Sequence, residues 1–272
     1  MIRHNYHTHT FRCGHAIGED EDYVLEAIGQ GMQTLGFSDH VMLEGLSQVN
    51  VRGEFEMTED YFSSIRRLEE KYKERMKILL GFEAEPFPTY FSYYEYLLRE
   101  KKIDYLILGN HCELEHGRIK YFFSKSTTKE DIIRYKDTLI KGMETGLFTY
   151  VAHPDYFMGG YSEFDRTCKK IAEDICDASN RLNIPLEFNF AAIRRGKVKI
   201  GEKERYLYPH VDFWKIVKDK GCKVILGLDA HAPSELSSDK NDAGILLARE
   251  LELDIINELD CFSSYKEEKE LK

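Results

Sequence analysis

The sequence predicts a parallel α/β fold, either a barrel or an open sheet, built from strand–helix units that follow one another along 272 residues. Three observations carry this. Short, nearly continuous apolar runs recur along the chain, and an amphipathic segment separates each from the next. No Pro/Gly/Ser-rich linker breaks the alternation. Runs rich in Ile, Leu, Val, Phe and Tyr are what strands covered on both faces require. Length alone allows one domain or two, and the unbroken alternation predicts a single domain over 1–272.

Taken in order, the expected strands are residues 3–8, "TLGFSD" (34–39), "KILLGFEA" (77–84), "DYLILGNH" (104–111), "FTYVAH" (148–153), "PLEFNF" (185–190) and "KVILGLDA" (223–230). The segment "TEDYFSSIRRLEEKYKER" starts a helix at Thr58 with acidic residues in its first turn. In "TTKEDIIRYKDTLIKGMETG", Thr127 or Thr128 can cap a helix with Glu130 or Asp131, and Gly146 ends it. Further helices are expected near 19–31, 90–102, 164–182, 210–221 and 236–252. Seven units, one short of the usual eight, point to an irregular barrel. The charged end "SSYKEEKELK" reads as a solvated tail.

Composition narrows the partners. With 42% hydrophobic and 32% charged residues, the chain can bury a sizeable core. Its 48 acidic and 38 basic residues leave a net charge of −10, opposite to the balance of a nucleic-acid binder. No stretch reaches the roughly 20 apolar residues of a membrane span, and "MIRHNYHTHT" lacks the apolar core of a secretory signal. The expectation is therefore a cytoplasmic protein with no nucleic-acid or membrane partner and with its oligomeric state open. Six cysteines without a CxxC pair fit reduced thiols. Cys13 and Cys112 adjoin histidines, and both are read as packing residues rather than soft-metal ligands.

The histidines carry the functional signal. Of ten, seven lie at or just past the C-terminal end of an expected strand: His7, His9, His15, His40, His111, His153 and His231. In a parallel fold those ends share one rim, where sites are built. His7 and His9 are spaced i, i+2 on a strand and so face the same side. Asp229 with His231 and Glu83 with Glu85 repeat that spacing, and Asp39 precedes His40. One strand-end histidine is usually a hydrogen-bonded structural residue. Seven of them with carboxylates at matching spacing form a metal site of imidazole and carboxylate ligands, suited to Zn, Fe or Mn. His4, His116 and His210 lack that context and are read as surface residues.

The ordered segments "HTHTFRCGH", "GFSDH", "GFEAE", "GNH", "VAHPD" and "GLDAH" resemble the motifs of the PHP (polymerase and histidinol phosphatase) family, nearest its histidinol-phosphate phosphatase branch. The resemblance runs from His7 to His231. It implies a distorted (β/α)7 barrel with three divalent metal ions. His7, His9, Glu83 and Asp229 would hold the first. Glu83 would bridge to the second, shared with His111 and His153, and His15, His40 and His231 would take the third. It also implies hydrolysis of L-histidinol phosphate to L-histidinol and phosphate in histidine biosynthesis, the alternative being a PHP phosphoesterase of other specificity. Asn5 and "FNFAAIRRGK" depart from the family pattern, and the latter leaves Arg194 and Arg195 as rival phosphate contacts.

Charge supports an anionic substrate. Three divalent ions set against two carboxylates and one bridging hydroxide leave about +3 at the site, which a phosphate dianion offsets. Glu83 and Asp229 are thus catalytic through the ions, and Asp39 is a candidate proton donor to the leaving alkoxide or an outer partner of the ligands. The substrate's amine leads to acidic rim residues, with Glu85, Glu113 and Glu115 as candidates, Glu85 alternatively standing behind the ligands as an outer partner. A nuclease would need a basic groove, and none is visible beyond "REKK" and "RRGK". An amidohydrolase would need a strand-end lysine, which is absent. A metal-storing scaffold without catalysis is the third rival.

Overall fold

The computed structural model describes residues 2–124 and 127–259, so the expected tail at 263–272 lies outside the described residues, as does Cys261. In chain order the strands are β1 (His4–Asn5), β2 (Thr34–His40), β3 (Lys77–Ala84), β4 (Tyr105–Leu108), β5 (Cys112–Glu115), β6 (Arg118–Tyr121), β7 (Tyr150–Val151), β8 (Leu186–Asn189), β9 (Val198–Ile200), β10 (Lys203–Arg205), β11 (Lys223–Gly227) and β12 (Asp254–Ile255). The helices are α1 (Asp20–Gly29), α2 (Thr58–Tyr72), α3 (Phe91–Arg99), α4 (Lys129–Glu144), α5 (Arg166–Leu182), α6 (Ala191–Arg195), α7 (Val211–Asp219) and α8 (Lys240–Glu250).

Eight strands form one sheet in the order β1-β2-β3-β4-β7-β8-β11-β12, with every pairing parallel. The sheet curls until Thr8, just past β1, bridges Ala230, just past β11. The His9 N–H donates to the Ala230 carbonyl at 2.9 Å, and the Ala230 N–H to the His7 carbonyl at 3.2 Å. Seven strands thus close into a distorted barrel at the rim formed by their C-terminal ends. At the opposite end β12 lies against β11, and the Leu259 N–H donates to the Tyr6 hydroxyl at 3.1 Å. β12, the hairpins β5–β6 and β9–β10, and the short α6 were not among the expected elements. The expected strands at 3–8, 148–153 and 223–230 stop short as ladders, because their last residues leave the sheet to face the rim.

Two apolar layers hold this shape. The larger lies between sheet and helices. In α2 the buried Tyr61, Ile65, Leu68 and Tyr72 fall on one helical stripe, which packs on β3. In α4 the Thr128 side chain accepts the Asp131 N–H at 3.2 Å while Asp131 accepts the Thr128 N–H at 2.9 Å, the reciprocal cap read from the sequence. The smaller layer fills the barrel: Tyr6, Leu79, Tyr105, Ile107, Tyr150, Ala152, Ile225 and Leu259. Tyr105 crosses this interior because two glycines make room for it. A Cβ at Gly81 would stand 2.6 Å from its ring, and one at Gly36 2.3 Å from its hydroxyl oxygen, which donates to the Tyr6 carbonyl at 2.8 Å. This packed plug fills the barrel interior below the rim.

Candidate metal centre

The strand ends bring the predicted residues to a single cavity of about 200 Å³ at the rim. Eight of the nine expected ligands line it: His9, His15, His40, Glu83, His111, His153, Asp229 and His231. His7 sits directly beneath, fully buried. Asn50, Val51, Tyr121, Tyr156, Arg195 and Tyr208 complete the wall.

The donor atoms fall into sets. His7 Nε2 and His9 Nε2 are 3.2 Å apart, and Asp229 Oδ1 lies 3.6 and 3.3 Å from them. Glu83 Oε2 is 3.5 Å from both. Its other oxygen is 3.0 Å from His153 Nε2 and 3.5 Å from His111 Nε2, and those two nitrogens are 3.2 Å apart. Ligands about 2.1 Å from a tetrahedral zinc stand about 3.4 Å from one another. The two sets therefore have the spacing of donors around an ion, with Glu83 contributing one oxygen to each. Buried His40 Nδ1 has no hydrogen-bond partner and faces Glu83 Oε2 at 3.3 Å. Such orphaned nitrogens are costly unless something binds them.

The third expected set is looser. The His15 ring is 4.6 Å from that of His231 and 6.1 Å from that of His40. His231 stacks on His9 at 4.1 Å instead. Among the described residues, His9, Cys13 and His231 form a compact trio, as do His9, His40 and Glu83, and His40, Glu85 and His111. Cys13 Sγ accepts the Ala16 N–H at 3.3 Å and does not line the cavity.

Electrostatics separate the sets further. Burial opposes charge on His7, but Glu187, Asp229 and Glu83 outweigh it and raise its pKa well above the ordinary value. His9 rises to about 9 against the same burial, held by Asp229, Asp39 and Glu83. Burial would push Glu83 up, yet His111, His7 and His40 hold it well below the usual carboxylate range. In contrast, burial, reinforced by neighbouring His9, lowers His15, His40 and His231. A lowered value favours the neutral imidazole, the form that binds metals.

Backbone strain marks the same positions. His153 and Asp229 adopt φ of 28° and 49°, and neither is glycine. Such residues cost on the order of 1–3 kcal/mol each and cluster at functional sites.

The remaining candidates sort by what they touch. Asp39 is fully buried, accepts the Thr10 hydroxyl and the His40 N–H, and lies 3.5 Å from His9 Nδ1. It stands behind His9 and outside the cavity wall. Glu85 is equally enclosed, 2.6 Å from Arg52 Nη2 and 3.1 Å from His111 Nδ1. Glu85 thus backs a ring whose other nitrogen faces the centre, while Asp39 stands beside His9 Nδ1 without a hydrogen bond to it. Glu113 accepts Arg134 Nε at 2.9 Å, and exposed Glu115 is 3.7 Å from Lys120; neither lines the cavity. The two arginines part company. Arg194 is buried and donates to the Asp229 carbonyl at 2.9 Å and to Glu235 at 3.3 Å, while Arg195 lines the cavity. Asn5 donates to the His7 carbonyl at 3.1 Å and accepts the Leu228 N–H at 2.9 Å, tying β1 to the loop after β11. His116 is exposed, whereas His210 is half-buried against Phe164.

Sequence reasoning passed over Glu187, Arg52 and the cavity tyrosines. Glu187 and Asn189 had a readable signal: polar residues at i, i+2 inside the apolar run "PLEFNF", the pattern used for Glu83 and Glu85.

Comparison with known proteins agrees with this geometry. The PHP domain model matches residues 5–191, well over half of the chain. The chain belongs to the PHP family. A Deinococcus radiodurans protein named "Probable histidinol-phosphatase" is 27% identical over 244 residues, spanning 87% of this chain and 89% of its own. One of the same name from Schizosaccharomyces pombe is 32% identical over 87 residues, 29% of this chain and 28% of its own. The crystal structure of the histidinol phosphate phosphatase of Lactococcus lactis, complexed with zinc, L-histidinol and phosphate, superposes with a TM-score of 0.69. It is 18% identical and covers 95% of this chain and 98% of that one. The likeness of this PHP member to that structure is one of fold.

Proposed function

We propose that this chain is a metal-dependent phosphomonoesterase that hydrolyses L-histidinol phosphate. One observation carries the reading: nitrogen and carboxylate donors at 3.0–3.6 Å gather at a rim cavity that the Arg195 guanidinium also lines. The relatives' names supply the substrate.

His7, His9, Glu83 and Asp229 would hold the first ion, and Glu83, His111 and His153 the second. His15, His40 and His231 would hold a third, and Zn, Fe or Mn suits all three positions. When bound, such ions supply a hydroxide nucleophile at neutral pH and Lewis acidity at phosphorus. Arg195 pairs with the equatorial phosphate oxygens. Arg194 instead fixes the Asp229–His231 turn. Asp39 stands beside His9 and is not a proton donor, and Glu85 positions His111 in place of binding the substrate's amine. The ring end of the substrate lies against Tyr156 and Tyr208, whose rings are 5.9 Å apart on the cavity wall.

The test is a steady-state assay of the purified protein, with its metals counted, on L-histidinol phosphate, p-nitrophenyl phosphate, a phosphodiester and single-stranded DNA. The reading expects the highest kcat/KM for the first. A preference for either of the last two substrates refutes it.

A further inference from the structure

We infer that Glu187 is a positioning residue that joins the first and second ion positions into one binding unit. The inference rests on the ligand assignment proposed above, to which Glu187 does not belong. Its side chain has no exposure and does not reach the cavity.

Each of its oxygens serves a different ion position. Oε1 accepts His7 Nδ1–H at 2.8 Å. That bond turns His7 Nε2 towards Glu83 and Asp229, at 3.5 and 3.6 Å. Oε2 accepts the backbone N–H of His153 at 3.1 Å, at a residue whose φ of 28° needs such a restraint. It also accepts Asn189 Nδ2 at 2.8 Å, and the same amide reaches Asp229 Oδ2 at 3.2 Å. One carboxylate on β8 therefore orients ligands that leave β1, β7 and β11.

The neighbouring strand is shaped for it. A Cβ at Gly227 on β11 would lie 1.8 Å from Glu187 Oε1 and 2.3 Å from its carboxyl carbon. Gly227 has no positive φ to account for its being glycine. The same device recurs at Gly109, where a Cβ would lie 2.3 Å from Glu83 Oε1. Glycine beside each of these two carboxylates is what clearing a path for a polar side chain requires in a barrel otherwise filled by rings and branched residues. A carboxylate that only packed the interior would not need contact with both metal sets.

The experiment compares wild type and Glu187→Gln as zinc-loaded proteins in competition with a chromophoric chelator, with released ions counted. The amide keeps the shape but can accept at only one of the two oxygen positions, so either the His7 Nδ1–H or the His153 N–H meets a donor and the carboxylate shared by both ion positions is lost. Loss of an outer partner of a metal ligand costs about 10–100-fold in affinity. The expected result is a drop of that size for two ions together, with kcat recovering at saturating zinc and KM unchanged. Affinities within twofold of wild type overturn the inference, and so does weakening of only one ion. Gly227→Ala, which leaves every hydrogen-bonding group in place, provides a second route if the first variant folds poorly. It should weaken the same two ions, and unaltered binding there also counts against the inference. Because ion release is read without substrate, a failure of the proposed phosphatase activity would appear separately, as metal-replete wild type that hydrolyses no phosphomonoester.

Discussion

At the scale of single residues, Glu83 is the group on which the two tighter donor sets depend. Its oxygens face His7, His9 and His40 on one side and His111 and His153 on the other. Glu83→Gln removes an anionic bridge from both at once. It should cost more in affinity for two ions than the roughly 10–100-fold of an outer-partner loss, and turnover should vanish with them. Elemental analysis and an activity assay check this, and full activity in the variant removes the bridge. His7 and His9 add a pH dependence. In the metal-free protein their pKa values lie above the ordinary histidine value, that of His9 at about 9. At pH 7 both carry protons that an incoming ion must displace, because only the neutral ring ligates. Metal uptake should therefore release protons, and apparent affinity should climb with pH and level off above about 9. Calorimetry in two buffers of different ionisation enthalpy measures the release. Equal heats in both would contradict protonated ligands.

At the scale of elements, α6 separates two adjacent arginines that the sequence could not. One short helix after β8 turns Arg194 into the packed side and Arg195 towards the cavity. Arg195→Ala should raise KM for a phosphomonoester roughly 10–100-fold, the value of a hydrogen bond to a charged group at about 1.5–3 kcal/mol, with the metals retained. Arg194→Ala should instead loosen the Asp229–His231 turn, lowering thermal stability and metal content. Steady-state kinetics with metal analysis distinguishes them, and an unchanged KM for Arg195→Ala sends the phosphate elsewhere. The same contrast shows what was legible. Strand ends, the shared rim and the histidines on it follow from apolar runs and i, i+2 spacing, which local sequence records. The inward or outward turn of neighbouring side chains in "AAIRRG" depends on packing against Glu235 and Asn241 from a distant segment. The choice for Glu85 between backing a ligand and meeting the substrate stayed open for the same reason: its partner Arg52 comes from a loop 33 residues away. Strand β12 escaped notice because two residues leave no periodicity to read.

For the whole molecule, the arrangement is a packed plug below and a polar chamber above. Tyr6, Tyr105 and Tyr150 close the barrel interior with apolar contacts, and the next layer towards the rim is His7, Glu83, Glu187 and Asp229. The chamber therefore buries Glu83 and Asp229 close together, faced in the metal-free state by His7, His9 and His111, whose pKa values they raise, and by Arg195. Buried charges are costly unless paired, so the barrel mouth is the part of the fold that ions stabilise most. Any ligand that binds only the folded state adds RT ln(1 + [L]/Kd), about 4 kcal/mol at a thousandfold excess over Kd. For a chain of this size about 1 kcal/mol shifts Tm by roughly 2–4 °C. Stripping one tightly held ion should thus lower Tm on the order of 10 °C, and stripping the Glu83-linked pair should lower it further. The bottom of the barrel, which touches no donor atom, should keep its amide-exchange protection while the segments around His7, His153 and Asp229 lose theirs. Calorimetric melting with and without chelator, paired with hydrogen exchange, tests both statements. A Tm unmoved by complete metal removal would mean that the rim is rigid by itself, and that the strained His153 and Asp229 backbones are held by the protein alone.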